Sequence, residues 1–267
     1  MPTYRIIDVH THIFPEKIAE KAVASIGRFY GIQLGRPALP HELDAEARAL
    51  GIERNLVFST ATTPHQVPSI NDFIHAMCEK YPAFIGLGTL HPAMEDPYAE
   101  IERIRALGLH GIKLHPDFQA FDIDDARMLP VYRRLAEVRL PVLFHMGDPR
   151  YDWSRPARLA KVLDAVPDLR VIAAHFGGYT RWDEAARELA GSSAYYDTSS
   201  SIQFLGREKA LALIERFGAD RMLFGTDFPM WELGEELDRF LALGLSEEEN
   251  RHILAENFIR AFPEMLE

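Results

Sequence analysis

Eight short apolar runs, separated by amphipathic stretches, constrain this chain more than any other feature. They are Tyr4–His10, Asn55–Thr60, Ala83–Leu90, Gly111–His115, Val142–His145, Val171–His175, Ala194–Thr198 and Met222–Thr226. Most read as buried on both faces, as parallel strands covered by helices do. After the first interval they recur about every 30 residues, the length of one strand plus one helix. That alternation predicts an α/β protein, a closed (β/α)8 TIM barrel, over the open doubly wound sheet that the strand count alone also permits. The chain has 267 residues, and one barrel of about 250 residues accounts for it as a single domain over 1–267. The first interval is longer by about 20 residues. It holds a helical segment, a Gly- and Pro-bearing stretch over 31–40 and a second helical segment, so an extended loop and helical insertion follows strand 1. Residues 31–50 are expected to contribute a lid, because loops at that end of the strands build the active face of a barrel.

Helix signals fill the other intervals. Asp96-Pro97 offers an N-cap followed by Pro at the first helical position. Asp124 precedes a helical stretch over Ala126–Val138, and Ser154 one over Arg158–Val166. Thr180 with Asp183 resembles a capping box, and Ser246 with Glu249 makes the stricter form before a last helix that Pro263 stops. Charge narrows the partners: 40 acidic against 29 basic residues give a net charge of −11. A nucleic-acid partner is therefore not expected. The single cysteine, Cys78, excludes an intrachain disulfide. No apolar run is long enough to span a membrane, and Met1-Pro-Thr-Tyr-Arg-Ile-Ile-Asp lacks the layout of a signal peptide. A cytoplasmic protein acting on a small molecule, with a homodimer as the commonest assembly, is the expectation.

Histidine carries the chemistry. Of eleven histidines, His10, His115, His145 and His175 fall at the C-terminal ends of predicted strands. His12 follows His10 by two residues, so on a strand both imidazoles point one way. Asp227 follows strand 8, which is the neighbour of strand 1 in a closed barrel. Strands 1, 5, 6 and 8 thus send metal-capable groups to one rim, where barrel catalysis occurs. Imidazole suits Zn, Fe, Mn or Ni. A lone strand-end histidine is more often a hydrogen-bonding residue than a ligand; five such groups on four strands make a metal site.

The strings that carry these residues resemble a known family. Ile7-Asp8-Val9-His10-Thr11-His12-Ile13-Phe14-Pro15 is similar to the strand-1 signature of the amidohydrolase superfamily. Phe144-His145, Ala174-His175-Phe176-Gly177-Gly178, Tyr196-Asp197-Thr198-Ser199 and Leu223-Phe224-Gly225-Thr226-Asp227-Phe228-Pro229 resemble its later strand signatures, in order along the whole chain. So does the C-terminal Ile253-Leu254-x-x-Asn257-x-x-Arg260-x-Phe262. The likeness is to the amidohydrolase-related branch, which includes aminocarboxymuconate semialdehyde decarboxylase, resorcylate decarboxylases and pyrone-dicarboxylate lactonase. It implies His10, His12, His145 and Asp227 as ligands of one divalent metal, zinc foremost with Mn, Fe or Ni as alternatives. It implies His175 as a neighbour that orients or activates water, and Asp227 and His175 as the catalytic pair. In binuclear members a carboxylated lysine on strand 4 bridges two metals. Lys113 and His175 would complete that set here; otherwise Lys113 is a cation for a substrate carboxylate or a structural ion pair.

The resemblance implies a metal-dependent hydrolase that uses activated water against an amide, lactone or ester carbonyl. A non-oxidative decarboxylase is the alternative reaction, and a non-catalytic metal-binding barrel the remote one. His10 separates the chain from those resorcylate-type decarboxylases that carry Glu at that position. Lys113, His115, Arg150, Phe14 and Trp231 are the expected substrate contacts, suited to a small, flat or cyclic carboxylate. Sealing of barrel loops is the bland alternative for the aromatic rings. The Ser199–Ser201 run either lines the substrate or caps the next helix.

Overall fold

A computed structural model describes residues 4–266. Met1–Thr3, part of the stretch read for a leader, and the last residue of the 1–267 domain lie outside the described residues. Nine parallel strand segments appear in chain order. They are β1 (Ile7–His12), β2 (Arg54–Phe58), β3 (Phe84–Gly86), β4 (Gly88–Thr89), β5 (Ile112–Leu114), β6 (Val142–Phe144), β7 (Val171–Ala173), β8 (Tyr195–Asp197) and β9 (Met222–Leu223). Two sheets run β1-β2-β3 and β4 to β9 in order. β3 and β4 are one barrel strand interrupted at Leu87, whose N–H still reaches the Val57 carbonyl at 3.0 Å. The circle closes between β1 and the segment after β9. Val9 donates to Phe224 O at 2.9 Å, Asp227 to His10 O at 2.8 Å and His12 to Phe228 O at 2.8 Å. The eight predicted strands are therefore present, shorter than expected, and the barrel is closed.

Side chains split between two layers. Leu56, Phe58, Ile85, Leu87, Leu143, Ile172 and Leu223 form an interior cluster with Phe258, Phe262 and Met265 of the C-terminal segment. Val57, Phe84, Ile112, Leu114, Val142, Phe144 and Val171 join the larger cluster shared with the helices. This two-sided burial explains why the strands are continuously apolar in sequence.

The helices cover the outside. After β1 come α1 (Glu16–Tyr30) and α2 (Pro40–Leu50), the expected insertion. α3 (Val67–Lys80), α4 (Pro97–Ala106), α5 (Pro116–Gln119), α6 (Leu129–Glu137), α7 (Pro156–Ala165), α8 (Trp182–Glu188), α9 (Ile202–Phe217) and α10 (Leu233–Leu241) follow. The chain ends with α11 (Glu247–Arg251), a π-helical turn and α12 (Asn257–Ala261). Asp96 caps α4 by accepting from Tyr98 and Ala99 N–H, and Ser246 with Glu249 forms the capping box of α11. Three expected caps are absent: α6 begins after Met128 with no side-chain cap, and Asp124 accepts instead from Arg158 and Lys161. α8 starts after Arg181 with no side-chain cap, because Thr180 sits at φ 59°, outside the extended geometry of an N-cap. Ser154 Oγ donates instead to Asp117 at 2.5 Å. Among the described residues no helix is long and apolar enough to cross a membrane.

Glu236 on α10 is buried, and burial pushes its carboxyl up from 4.5 to about 7 against the pull of Arg239. The folded chain then holds a proton that the unfolded chain has already released. Stability is expected to fall as pH rises from about 4.5 to about 7. Urea unfolding at about pH 5 and pH 8 should show that fall, and Glu236→Gln should shrink it. An unchanged pH dependence in the variant would remove Glu236 as its source.

Candidate metal centre

β1 delivers both His10 and His12, with His12 its last residue. The strand register slips between Asp8 and Thr11. Asp8 secures that irregular stretch: it accepts from His10 N–H at 3.0 Å, and from Thr226 N–H and Oγ1 at 3.1 and 2.6 Å. β1 is thereby pinned to the chain that carries Asp227. His175, Phe176, Ser200 and Asp227, all just beyond strand ends, have φ between 48° and 64°. Such backbone is costly for residues other than glycine and clusters at functional sites.

The hydrogen-bond network assigns the imidazole tautomers. His10 Nδ1 lies 2.8 Å from Asp197 Oδ2 and donates to it, which leaves the Nε2 lone pair free. That lone pair faces Asp227 Oδ1 at 3.4 Å and Lys113 Nζ at 3.3 Å. His12 Nε2 lies 3.3 Å from the same Asp227 oxygen. His175 Nδ1 lies 3.1 Å from the Ser199 carbonyl, so its Nε2 is also a base; that Nε2 is 3.0 Å from His145 Nδ1. Burial lowers the pKa of His10 and His12, so both favour the neutral form. Ser200 Oγ donates to Asp227 Oδ2 and accepts from Trp231 Nε1 at 2.8 Å. The other Asp227 oxygen is left to the histidines.

Donor atoms of His10, His175 and Asp227 lie within 4.8 Å of one another. Neutral imidazole nitrogens and a carboxylate converging in a buried nest match the chemistry of a divalent cation site. Asp197 behind His10 matches the carboxylate–histidine pairing that orients metal ligands. The resemblance placed His145 in the ligand set and His175 beside it; here His175 is in the tight group. His145 stacks on His115, with centroids 3.9 Å apart. A second trio, His115, Asp117 and His145, also lies within 4.8 Å. His115 is poorly suited to ligate from it: its Nδ1 accepts from Phe118 N–H at 3.2 Å, capping α5, so the neutral ring carries its proton on Nε2.

Other expected contacts fall in different places. Lys113 is 0% exposed, with Nζ 4.7 Å from the Phe58 ring centre and 3.3 Å from His10 Nε2, beside the nitrogen that faces Asp227. Arg150 pairs bidentately with Asp148, donates to the Phe29 carbonyl and covers the Phe29 ring at 4.3 Å. Phe14 packs in the main core. His115 and Trp231 do line the pocket, whereas Lys113, Arg150 and Phe14 do not. The serine run neither caps α9 nor lines the pocket as a whole. Ser199 Oγ bonds Asp197, His10 and His175, Ser200 holds Asp227, and Ser201 returns to the Ser199 carbonyl.

Sequence reasoning missed Tyr30, at the end of α1. Its hydroxyl lies 3.0 Å from His115 Nε2 and 3.4 Å from His145 Nε2. Only its place in the insertion hinted at this, because helical spacing cannot say where a long insertion returns. Arg150 latches that helix end through Phe29. Arg150→Ala is expected to speed amide exchange across residues 29–39 by about tenfold or more, the value of a charge-assisted hydrogen bond. Hydrogen exchange read by mass spectrometry checks it; unchanged exchange there would mean the latch does not hold the helix. The pocket that Tyr30, His115 and His145 line is about 70 Å³.

The family profile described as amidohydrolase matches residues 7–263. The chain belongs to the amidohydrolase family. Solved structures similar to this amidohydrolase include an uncharacterized TIM-barrel protein from Bordetella bronchiseptica, at 22% identity and TM-score 0.76, covering 98% of this chain and 99% of that one. A provisionally named 2-pyrone-4,6-dicarboxylic acid hydrolase from Pseudomonas putida matches at 19% identity and TM-score 0.70, covering 98% of each chain. A 5-carboxyvanillate decarboxylase from Novosphingobium aromaticivorans, complexed with manganese and a nitrobenzoic acid, matches at 19% identity and TM-score 0.74, covering 97% and 96%. At these identities the likenesses show the shared fold.

Proposed function

We propose that this amidohydrolase is a metal-dependent hydrolase of a small cyclic substrate, opening a lactone, ester or amide bond. The observation that carries the reading is the buried nest in which Asp227 faces the Nε2 atoms of His10 and His12. His10, His12, Asp227 and either His175 or His145 would hold one divalent cation, with zinc or manganese suited to these donors. When bound, the cation polarises the carbonyl and makes water acidic enough to attack near neutral pH.

The residues do the rest. Ser200 fixes one Asp227 oxygen, so the other is free to take the proton of the attacking water and return it to the leaving group. His175 holds its Nδ1 proton on Ser199 and presents Nε2 as a second proton-transfer group. Tyr30 places a hydroxyl beside His115 and His145, where it can hydrogen-bond a substrate oxygen.

A second reading, non-oxidative decarboxylation, is favoured by the aromatic and aliphatic side chains around the histidines. An apolar wall destabilises a carboxylate that is about to leave as carbon dioxide. Asp227, held ionised by its histidine neighbours against the effect of burial, would then take a proton from water and pass it to the ring carbon that loses carbon dioxide.

The test is to load the purified protein with zinc or manganese and supply aryl lactones, aryl esters and hydroxybenzoates. Mass spectrometry separates products that gain water from products that lose carbon dioxide. Gain of water supports the proposal, loss of carbon dioxide supports the second reading, and no turnover with either metal sinks both.

A further inference from the structure

We propose that Tyr30 is a substrate-binding hydroxyl whose proton is held back until the metal centre is loaded. With a cation in the nest, His145 carries its proton on Nε2, the nitrogen that faces Tyr30. The hydroxyl then stops donating to His145 and turns its O–H toward an oxygen of the substrate. The inference rests on the reading of the nest as a divalent cation site, and names the side chain that loading switches.

Two backbone groups fix the direction of a hydrogen-bond chain beside the nest. At one end the Ser199 carbonyl can only accept. His175 therefore holds its proton on Nδ1, 3.1 Å away, and its Nε2 is a lone pair. His145 Nδ1 lies 3.0 Å from that lone pair and is the donor to it. At the other end the Phe118 N–H can only donate, 3.2 Å from His115 Nδ1. His115 therefore carries its proton on Nε2 and gives it to the Tyr30 oxygen at 3.0 Å. Burial holds His145 well below its ordinary pKa, so its ring is neutral and its Nε2 is a lone pair. The Tyr30 proton is spent on that Nε2, across a long 3.4 Å bond.

Loading the nest breaks this order at one link. His175 offers a donor atom to the tight group with His10 and Asp227, and with Nδ1 protonated that atom is Nε2. The His145 Nδ1–H aimed at it would lose its acceptor and face a positive charge. Whether His175 or His145 supplies the ligand, His145 Nδ1 has to be bare, so the single proton of the ring sits on Nε2. The ring is neutral before and after, and no proton is gained or lost. Asp117 is placed for this tautomer. Its Oδ2 lies 3.6 Å from His145 Nε2, and among the described residues its buried Oδ1 has no hydrogen-bond partner. A carboxylate facing a lone pair is unfavourable, whereas one beside an imidazole N–H is the pairing that orients metal-bound histidines. With the N–H groups of both His115 and His145 directed at its oxygen, Tyr30 has no histidine left to donate to. Tyr30 lines the pocket and Asp117 does not, so a substrate oxygen in the pocket is the acceptor.

The test reads the tautomer directly, by nuclear magnetic resonance on protein carrying isotope-labelled histidine, without metal and with one equivalent of zinc. The His145 signals are those lost in His145→Gln. The proton is expected on Nδ1 without metal and on Nε2 with zinc. Calorimetry with benzoate as the probe reads the released hydroxyl. Tyr30→Phe should weaken benzoate binding to the zinc-loaded protein at least about tenfold, the value of a hydrogen bond to a charged group. A proton that stays on Nδ1 with zinc bound, or sits on Nε2 from the start, overturns the inference while leaving the functional reading intact. Unchanged benzoate affinity in the folded Tyr30→Phe variant also overturns it. Failure of the native protein to bind zinc removes the functional reading, and the inference with it.

Discussion

Asp227→Asn is expected to lower turnover by about 10²–10⁴-fold, the usual worth of a positioned proton-transfer group, while the barrel stays folded. Asparagine keeps the shape, and its carbonyl can still accept from Ser200, so the loss reports charge and basicity rather than packing. Among the described residues the carboxylate is also the only anion that meets both His10 Nε2 and His12 Nε2, at 3.4 and 3.3 Å. Metal content should therefore fall too, measured by elemental analysis on protein prepared without chelators. Turnover near the native level with full metal content would move proton transfer to His175. A well-folded variant by circular dichroism separates this outcome from collapse.

Lys113→Met should stabilise the metal-free protein by about 1–3 kcal/mol, the cost mutational data give to a buried polar group, because among the described residues no carboxylate lies within ion-pair distance of Nζ. Lys113 is 0% exposed, and burial lowers its pKa from 10.5 to about 7 against the pull of Asp197 and Asp227. A folded-state value below the unfolded one means the unfolded chain binds the extra proton. Native stability is then expected to rise as pH climbs from about 7 toward 10.5, and the methionine variant should lose that rise. Thermal or urea unfolding across this range checks both claims. Metal binding supplies an independent sign. With Nζ only 3.3 Å from His10 Nε2, the ammonium repels a cation bound there, so its removal should tighten metal binding. A bridging carboxylated Lys113 requires the reverse: two metals per native chain and weaker binding in the variant. That stoichiometry decides between the one-metal and two-metal sets.

These two experiments act on residues the sequence singled out, and the difference between them is instructive. Asp227 was legible because it follows the eighth apolar run and a closed barrel places that run beside the first. His10, His12, His145 and His175 were legible for the same reason: strand ends in a barrel share one rim. Lys113 was legible as a strand-end residue only. Its side chain is fully buried against His10 Nε2 and the Phe58 ring, and a one-dimensional pattern cannot separate a group that lines the pocket from one buried next to it.

The residues that tune the centre were harder to see. Asp197 and Ser199 assign the tautomers of His10 and His175, and Ser200 orients Asp227. Each lies in a stretch whose apolar pattern announces only a strand and its end. Arg150 looked like a substrate cation because it follows His145 by five residues. In the fold it is a latch on α1, since the helix that it grips comes from more than a hundred residues earlier. Tyr30 enters the site by the same route.

The repeat of apolar runs determined the eight strands, their order and the rim at which they end, because burial on two faces and the length of a strand–helix unit act locally along the chain. The imidazoles and the carboxylate at those ends followed from the same arithmetic. Tertiary structure alone decided which nitrogens of His10, His115 and His175 are free, that Lys113 and Arg150 stay out of the pocket, and that Tyr30 of the insertion reaches it. Those outcomes depend on contacts between residues far apart in sequence, where hydrogen-bond geometry and desolvation, rather than pattern, set the result.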